Sequence, residues 1–241
     1  MAVKDTLKKW YSFLVERPVA NFESEVSPGL KLSYFKGRYV LGVNNIIYSF
    51  EDEYTAFKEA FSKLKPKKRG IHDVLILGYG IGSIPAILHK RHQMHCDYVG
   101  VELDPAVISI AKEYGYKPPK SHIHLFCVDA MDYVRAAKDQ FDLICVDLFV
   151  DETVPAQFDT EEFVEHLRRL MAPKGLILFN RLYANTNQRI ATDGYFQFVF
   201  QKEFPEAYPI DTNGNLVLVF DDRVKKIKGM RKEQTRASSD K

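Results

Sequence analysis

The chain has 241 residues, 46% of them hydrophobic and 27% charged, with a formal net charge of +2. That length suits one large domain, or a domain with a small appendage, around a sizeable core. The balanced charge gives no argument for nucleic acid or a membrane surface. No apolar run approaches the ~20 residues of a spanning helix, and the first ten residues lack the apolar stretch of a signal peptide.

Residues 3–16 place Leu7, Trp10, Tyr11 and Leu14 on one helical face, and Arg17-Pro18 reads as the stop. Strand-like runs follow at Leu30–Phe35, Arg38–Leu41 and Asn44–Ser49, with turns at Lys36-Gly37 and Gly42–Asn45. They imply a small antiparallel β element. Glu51-Asp52-Glu53 reads as the acidic first turn of a helix to about Leu64. Pro66–Gly70 reads as a basic, solvated linker.

From Asp73 the pattern becomes strand, helix, strand. Val74 to Leu77 is uninterrupted and apolar, as a strand buried on both faces of a parallel sheet would be. Gly78, Gly80 and Gly82 alternate after it, and Ser83 reads as the cap of the helix that follows. Strand, glycine turn and helix together give such a string its meaning, because the helix start offers unpaired N–H groups beside the loop. The next strand, Tyr98–Glu102, ends on Glu102, about 20 residues past the last glycine. An acid there can accept from both hydroxyls of a ribose. The competing reading is a tight turn with an acid capping the next helix.

Asp104 and Pro105 start a helix to about Tyr114. His122–Val128 is the third strand, closed by Asp129, which suits a helix cap, a ligand contact or both. Ala130–Lys138 reads as helix, Phe141–Asp147 as the fourth strand, and Leu148–Phe158 as a loop carrying Asp151 and Glu152. A helix over Thr160–Met171, a turn at Pro173–Gly175 and a fifth strand Leu176–Asn180 come next. A long helix, Thr186–Phe204, precedes a hairpin of Tyr208–Asp211 and Leu216–Phe220 around Asn213-Gly214. Beyond Asp222 the sequence is basic and polar. The expected division is residues 1–66, 67–222 and 223–241.

Cys96, Cys127 and Cys145 lie in or beside apolar runs without a Cys-x-x-Cys, and read as reduced, buried thiols of a cytoplasmic protein. His89, His92 and His95 beside Cys96 invite a zinc reading but lack a matched partner pair, so no metal is expected.

Five segments together resemble the spermidine synthase branch of the S-adenosylmethionine-dependent methyltransferase fold. Val74-Leu-Ile-Leu-Gly-Tyr-Gly-Ile-Gly-Ser83 is similar to its glycine motif, with Ile76 where most methyltransferases place an acid. Val101-Glu-Leu-Asp-Pro105 resembles its ribose segment, and Val128-Asp129-Ala its adenine-contacting segment. Asp142-Leu-Ile-Cys-Val-Asp147 resembles the strand that ends in its catalytic aspartate. Val154-Pro-Ala156 with Thr160-Glu-Glu-Phe163 is similar to the segment after it.

The resemblance implies an α/β, Rossmann-like class I methyltransferase fold: a seven-stranded sheet with an antiparallel last hairpin, behind the small N-terminal β element. It implies a donor, S-adenosylmethionine, its decarboxylated form or methylthioadenosine, held by Gly78, Tyr79, Gly80, Gly82, Glu102, Leu103, Asp129, Ala130 and Asp147. Tyr79 either flanks the ligand or fills a gap. Asp147 is the expected catalytic residue, orienting or deprotonating an amine as a carboxylate of ordinary pKa. Asp151 and Glu152 either hold a cationic acceptor or are solvated.

Two departures stand out. Ile81 occupies the place of the family's amine-binding Asp, and Ala56, Phe57 and Lys58 replace the Tyr, His and Glu of its polyamine signature. The expected function is therefore methyl transfer to an unidentified small acceptor, an amine being one candidate. The alternatives are aminopropyl transfer in polyamine synthesis, and an inactive nucleoside-binding or assembly protein. By resemblance a homodimer or higher homo-oligomer is expected.

Overall fold

The computed structural model describes residues 15–43, 46–150 and 153–223. The helix expected over residues 3–16 lies outside them except for Val15 and Glu16, which are not helical. The basic segment after Arg223 also lies outside.

Strands β1 (Arg17–Phe22), β2 (Leu30–Phe35), β3 (Arg38–Val43) and β4 (Ile46–Ser49) form an antiparallel meander in that order. β1 was not expected, since Pro18 reads as a stop. It is an edge strand, where a missing N–H forfeits no ladder bond, and its register shifts beside Pro18. Lys36 and Gly37 both take positive φ, 49° and 76°, and close the β2–β3 hairpin as expected.

Glu51 does not open a continuous helix. Glu51–Glu53 is one 3₁₀ turn, Tyr54 is extended, and helix α1 begins at Thr55 and ends at Leu64. The acids are not arranged along a helix dipole. Glu51 and Asp52 are buried and paired with cations from elsewhere. Asp52 meets Arg38 at 2.8 Å, Arg91 at 3.2 Å and Lys90 at 3.4 Å, while Lys90 also meets Glu51 at 2.5 Å. Burial alone would raise the Asp52 carboxyl, but these cations hold it below its ordinary value.

The main sheet runs β10-β11-β9-β8-β5-β6-β7. Its strands are β5 (Asp73–Leu77), β6 (Asp97–Glu102), β7 (Ile123–Cys127), β8 (Phe141–Val146), β9 (Met171–Leu182), β10 (Tyr208–Asp211) and β11 (Asn215–Asp221). β5 to β9 are parallel, and β11 runs antiparallel to both β9 and β10, the expected closing hairpin. Asn213 and Gly214 turn it with φ of 52° and 102°. Helices α2 (Ser83–His92), α3 (Pro105–Tyr114), α4 (Ala130–Ala136), α5 (Glu161–Leu170) and α6 (Thr186–Tyr195) cover the two faces. Side chains alternate across β5. Val74 and Ile76 join a core with α1, α2 and α3, while Leu75 and Leu77 join another with α4, α5 and α6.

Asp104 caps α3 by accepting from Ala106 N at 2.8 Å. Ser83 is not a cap. Gly82 holds that position, and Ser83 Oγ pairs with Ser49 Oγ at 2.6 Å and accepts from Phe50 N at 3.0 Å. The small sheet is thereby tied to the start of α2. β9 is longer than expected at both ends, absorbing Lys174 at positive φ in an irregular first stretch. α6 passes into a π-helical segment, Phe196–Phe200, before its last turn. Cys96 and Cys145 are buried, but Cys127 is exposed at the outer edge strand β7, contrary to expectation. No helix among the described residues is long and apolar enough to cross a membrane.

Candidate active site

A cavity of about 540 Å³ opens at the carboxyl ends of β5, β6, β7 and β8, within the ~300–1,000 Å³ usual for small-molecule sites. From β5 the chain proceeds to β6 on one side and later to β8 on the other. That switch point is where open parallel sheets leave a crevice. Gly78, Gly80, Glu102, Leu103, Asp129, Ala130 and Asp147 all line it, whereas Tyr79 and Gly82 do not. Asp151 and Glu152 lie outside the described residues.

The glycine loop is set by contacts to both neighbouring strands. Gly78 N and Tyr79 N donate to Val101 O at 2.9 and 3.1 Å, and Asp147 N donates to Leu77 O at 2.8 Å. Gly78 has φ +86°, and a Cβ there would stand 2.1 Å from the Asp147 carbonyl oxygen, so only glycine fits. The Tyr79 ring turns away into the core. It occupies the space over Gly100, where an added Cβ would come within 2.4 Å of it, so it fills a gap and does not flank a ligand. Gly82 likewise sits against the Tyr79 hydroxyl and Tyr116, away from the cavity. Ile81 is fully buried in the same core.

Glu102 reaches back under the loop. Its Oε2 accepts from Gly80 N at 3.1 Å, and its Oε1 from Leu103 N at 2.9 Å and Asp104 N at 3.3 Å. A carboxylate offers about four lone-pair sites, so these three bonds leave about one for a ligand hydroxyl. Burial raises the Glu102 carboxyl, and the three N–H groups partly offset it. Asp129 both caps α4, accepting from Met131 N at 2.7 Å, and accepts from Gln157 Nε2 at 2.8 Å. Two of its sites remain for a donor such as an exocyclic amine.

Asp147 follows β8. Its Oδ1 accepts from Asn180 Nδ2 at 2.9 Å and from the Tyr54 hydroxyl at 3.2 Å. Burial pushes its carboxyl up to about 7. The Asn180 and Tyr54 bonds oppose the rise and the Glu102 charge adds to it. The expected ordinary pKa is thus corrected: near neutrality the group is divided between its two forms. Burial, with Asp147 beside it, holds the Tyr54 hydroxyl well above its usual range, so it stays protonated and donates. Asn180 Oδ1 is buried and has no partner among the described residues.

Gln157 and Asn180 did not emerge from the motifs, and Tyr54 entered only within Asp52-Glu-Tyr54, which resembles the start of the polyamine signature, with no role assigned to it. Each had a faint mark in the chain. Asn180 is the polar end of an apolar run, Gln157 directly follows Val154-Pro-Ala156, and Tyr54 follows Asp52-Glu53. Behind them Arg181 is buried, paired with Asp159 and stacked 4.1 Å over Tyr195, which fixes the loop carrying Gln157.

This strand order, with acids from three strand ends gathered round a glycine loop, defines the Rossmann-like fold of class I S-adenosylmethionine-dependent methyltransferases. Within that class the chain belongs to the spermine/spermidine synthase domain family, whose model matches residues 60–209. It is 32% identical over 111 residues to a polyamine aminopropyltransferase of Vibrio vulnificus, covering 44% of this chain and 36% of that one. A probable spermidine synthase from Corynebacterium glutamicum superposes with a TM-score of 0.66 at 19% identity, covering 85% of this chain and 80% of that one. Human methyltransferase-like protein 13, solved in complex with SAH, superposes with a TM-score of 0.56 at 19% identity, covering 69% and 82%. The chain spans 36%, 24% and 26% of the lengths of three curated relatives, which include a methyltransferase homologue as well as aminopropyltransferases.

Proposed function

We propose that the cavity binds S-adenosylmethionine or a related adenosyl thioether and that the protein transfers a methyl group to a small acceptor. The observation that carries this reading is Ile81. It stands where the resemblance places an amine-binding Asp and is sealed in the core, so the loop presents no acid to an aminopropyl ammonium. The residues present suit such a donor: Glu102 keeps about one lone pair for a ribose hydroxyl and Asp129 keeps two for the base. Relatives and neighbours in both branches, one of them solved with SAH, support the nucleoside.

When bound, the sulfonium supplies an electrophilic carbon: an acceptor nitrogen's lone pair forms the N–C bond, the C–S pair stays on sulfur as a thioether, and the nitrogen's proton goes to Asp147 or water. Asp147 suits that role because its carboxyl, near 7, is basic enough to take a proton and still half ionised at neutral pH. Tyr54 and Asn180 occupy Oδ1 and leave Oδ2 for the acceptor. Much of the acceleration expected here comes from alignment of acceptor and donor.

Aminopropyl transfer remains a second reading, favoured by one observation. The described lining residues include three carboxylates and no Lys or Arg to pair with a donor carboxylate. Calorimetry with S-adenosylmethionine, its decarboxylated form and methylthioadenosine separates the readings. Tighter binding of the decarboxylated donor reverses the choice, and binding of none removes the donor site.

A further inference from the structure

Resting on the donor reading above, we infer that the acceptor is a monoamine on an apolar body and not a polyamine. Beyond Asp147 the cavity wall comes from β4, residues 148–150, β9 and the start of α6. Ile47 and Val150 line it while 51% and 45% exposed, and Val26 and Leu103, at 39% and 46%, extend the same rim. Nine large hydrophobic side chains are exposed among the described residues, and these four ring one opening. Apolar surface gathered in this way marks a place that something apolar covers, at about 25 cal/mol per Å² removed from water. Deeper in, Tyr48, Phe149 and Leu182 continue the apolar lining towards Tyr54.

Among the described lining residues, charge on that wall is confined to one point. Asn185 and Gln188 are neutral amides engaged in the capping box of α6. Glu102 and Asp129 are committed to the glycine loop, α4 and the donor side. Asp147 is therefore the carboxylate that meets the acceptor among the described lining residues. Its Oδ2 accepts no hydrogen bond from them. A carboxylate oxygen left open at the cavity calls for a hydrogen-bond donor, and an ammonium answers it with charge as well. A second ammonium at the far end of the acceptor would instead meet the apolar rim at Ile47 and Val150, where the described lining residues offer it no carboxylate.

Heptylamine and 1,6-diaminohexane are of nearly equal length and differ in one terminal group. Each is titrated calorimetrically into the full chain saturated with methylthioadenosine. Heptylamine is expected to bind about ten-fold tighter or more. Ile47→Asp, at a half-exposed position, is expected to cancel that preference while thermal melting confirms the fold. Equal affinities, preference for the diamine, no binding of heptylamine to the donor-loaded protein, or an unchanged ratio in the variant would overturn the inference and leave the donor reading standing. Failure of methylthioadenosine itself to bind would overturn the donor reading, and the inference falls with it.

Discussion

The hydroxyl of Tyr54 donates to Oδ1 of Asp147 across 3.2 Å, joining the residue that precedes α1 to the end of β8. This bond favours the ionised carboxylate and so lowers a pKa that burial raises. Activity is expected to climb with pH through about 7 as Asp147 loses its proton. Tyr54→Phe removes the donor, so the climb moves to higher pH, by roughly one unit for a bond to a charged group. A pH–rate profile with the limb unmoved would show that Tyr54 does not act on the charged form.

Asp147→Asn is expected to lower transfer by about 10²–10⁴-fold while leaving donor affinity within a few-fold. It also has a signature in stability. A carboxyl with a folded-state pKa near 7 and an unfolded one near 4 binds protons more readily when folded. Its contribution is therefore favourable below pH 4 and declines as pH rises from about 4 to 7. The amide has no such decline. The variant should be the more stable above pH 7, by roughly 1–3 kcal/mol after screening through the cavity opening. Urea unfolding at pH 5 and pH 8 gives the comparison.

Donor affinity is expected to depend on two acids in different ways. Glu102→Gln leaves a single acceptor oxygen where three N–H groups and a ligand hydroxyl converge, and should weaken methylthioadenosine binding about 10- to 100-fold. Asp129→Ala loses the ligand contact and the α4 cap together, so weaker binding should come with about 1 kcal/mol of lost stability. Calorimetry beside chemical denaturation reads both. Unchanged affinity in both variants would remove the nucleoside assignment.

Gly78→Ala tests the crossing of the loop over β8. The added Cβ meets a backbone oxygen at 2.1 Å and φ is +86°, so neither neighbour can yield cheaply. A loss of about 3 kcal/mol or more, or failure to fold, is expected, whereas Gly194→Ala, inside α6 with nothing within 4 Å, should be neutral or stabilising by up to about 1 kcal/mol. Comparable melting temperatures for the two variants would contradict the close approach.

The chain announced those parts of the molecule whose physics is local. A buried strand, a glycine turn and a helix occupy consecutive residues, as do Asp104 with Pro105 and Asn213 with Gly214. Glu102 and Asp129 were readable because strand ends in such sheets face one edge. What stayed hidden depends on partners far along the chain. Ser83 resembles a cap until Ser49 meets it from the small sheet. The acids at 51–53 mimic a helix start until Arg38, Lys90 and Arg91 claim them. Tyr79 fits a ligand contact until the bare backbone at Gly100 makes room for its ring. β1 lacks any alternation because it is an exposed edge, and Tyr54 and Asn180 matter only through Asp147.

The cluster formed by Glu51, Asp52 and Glu53 with Arg38, Lys90 and Arg91 has a consequence for how this scaffold changes over time. It rivets β3 and the turn before Tyr54, beside the proposed acceptor wall, to α2, which follows the glycine loop. While those rivets persist, β4 and the loop after β8 can trade residues and present a different wall to the proposed acceptor without loosening the proposed donor site. One fold can thus wander between chemistries while its nucleoside end stays in place.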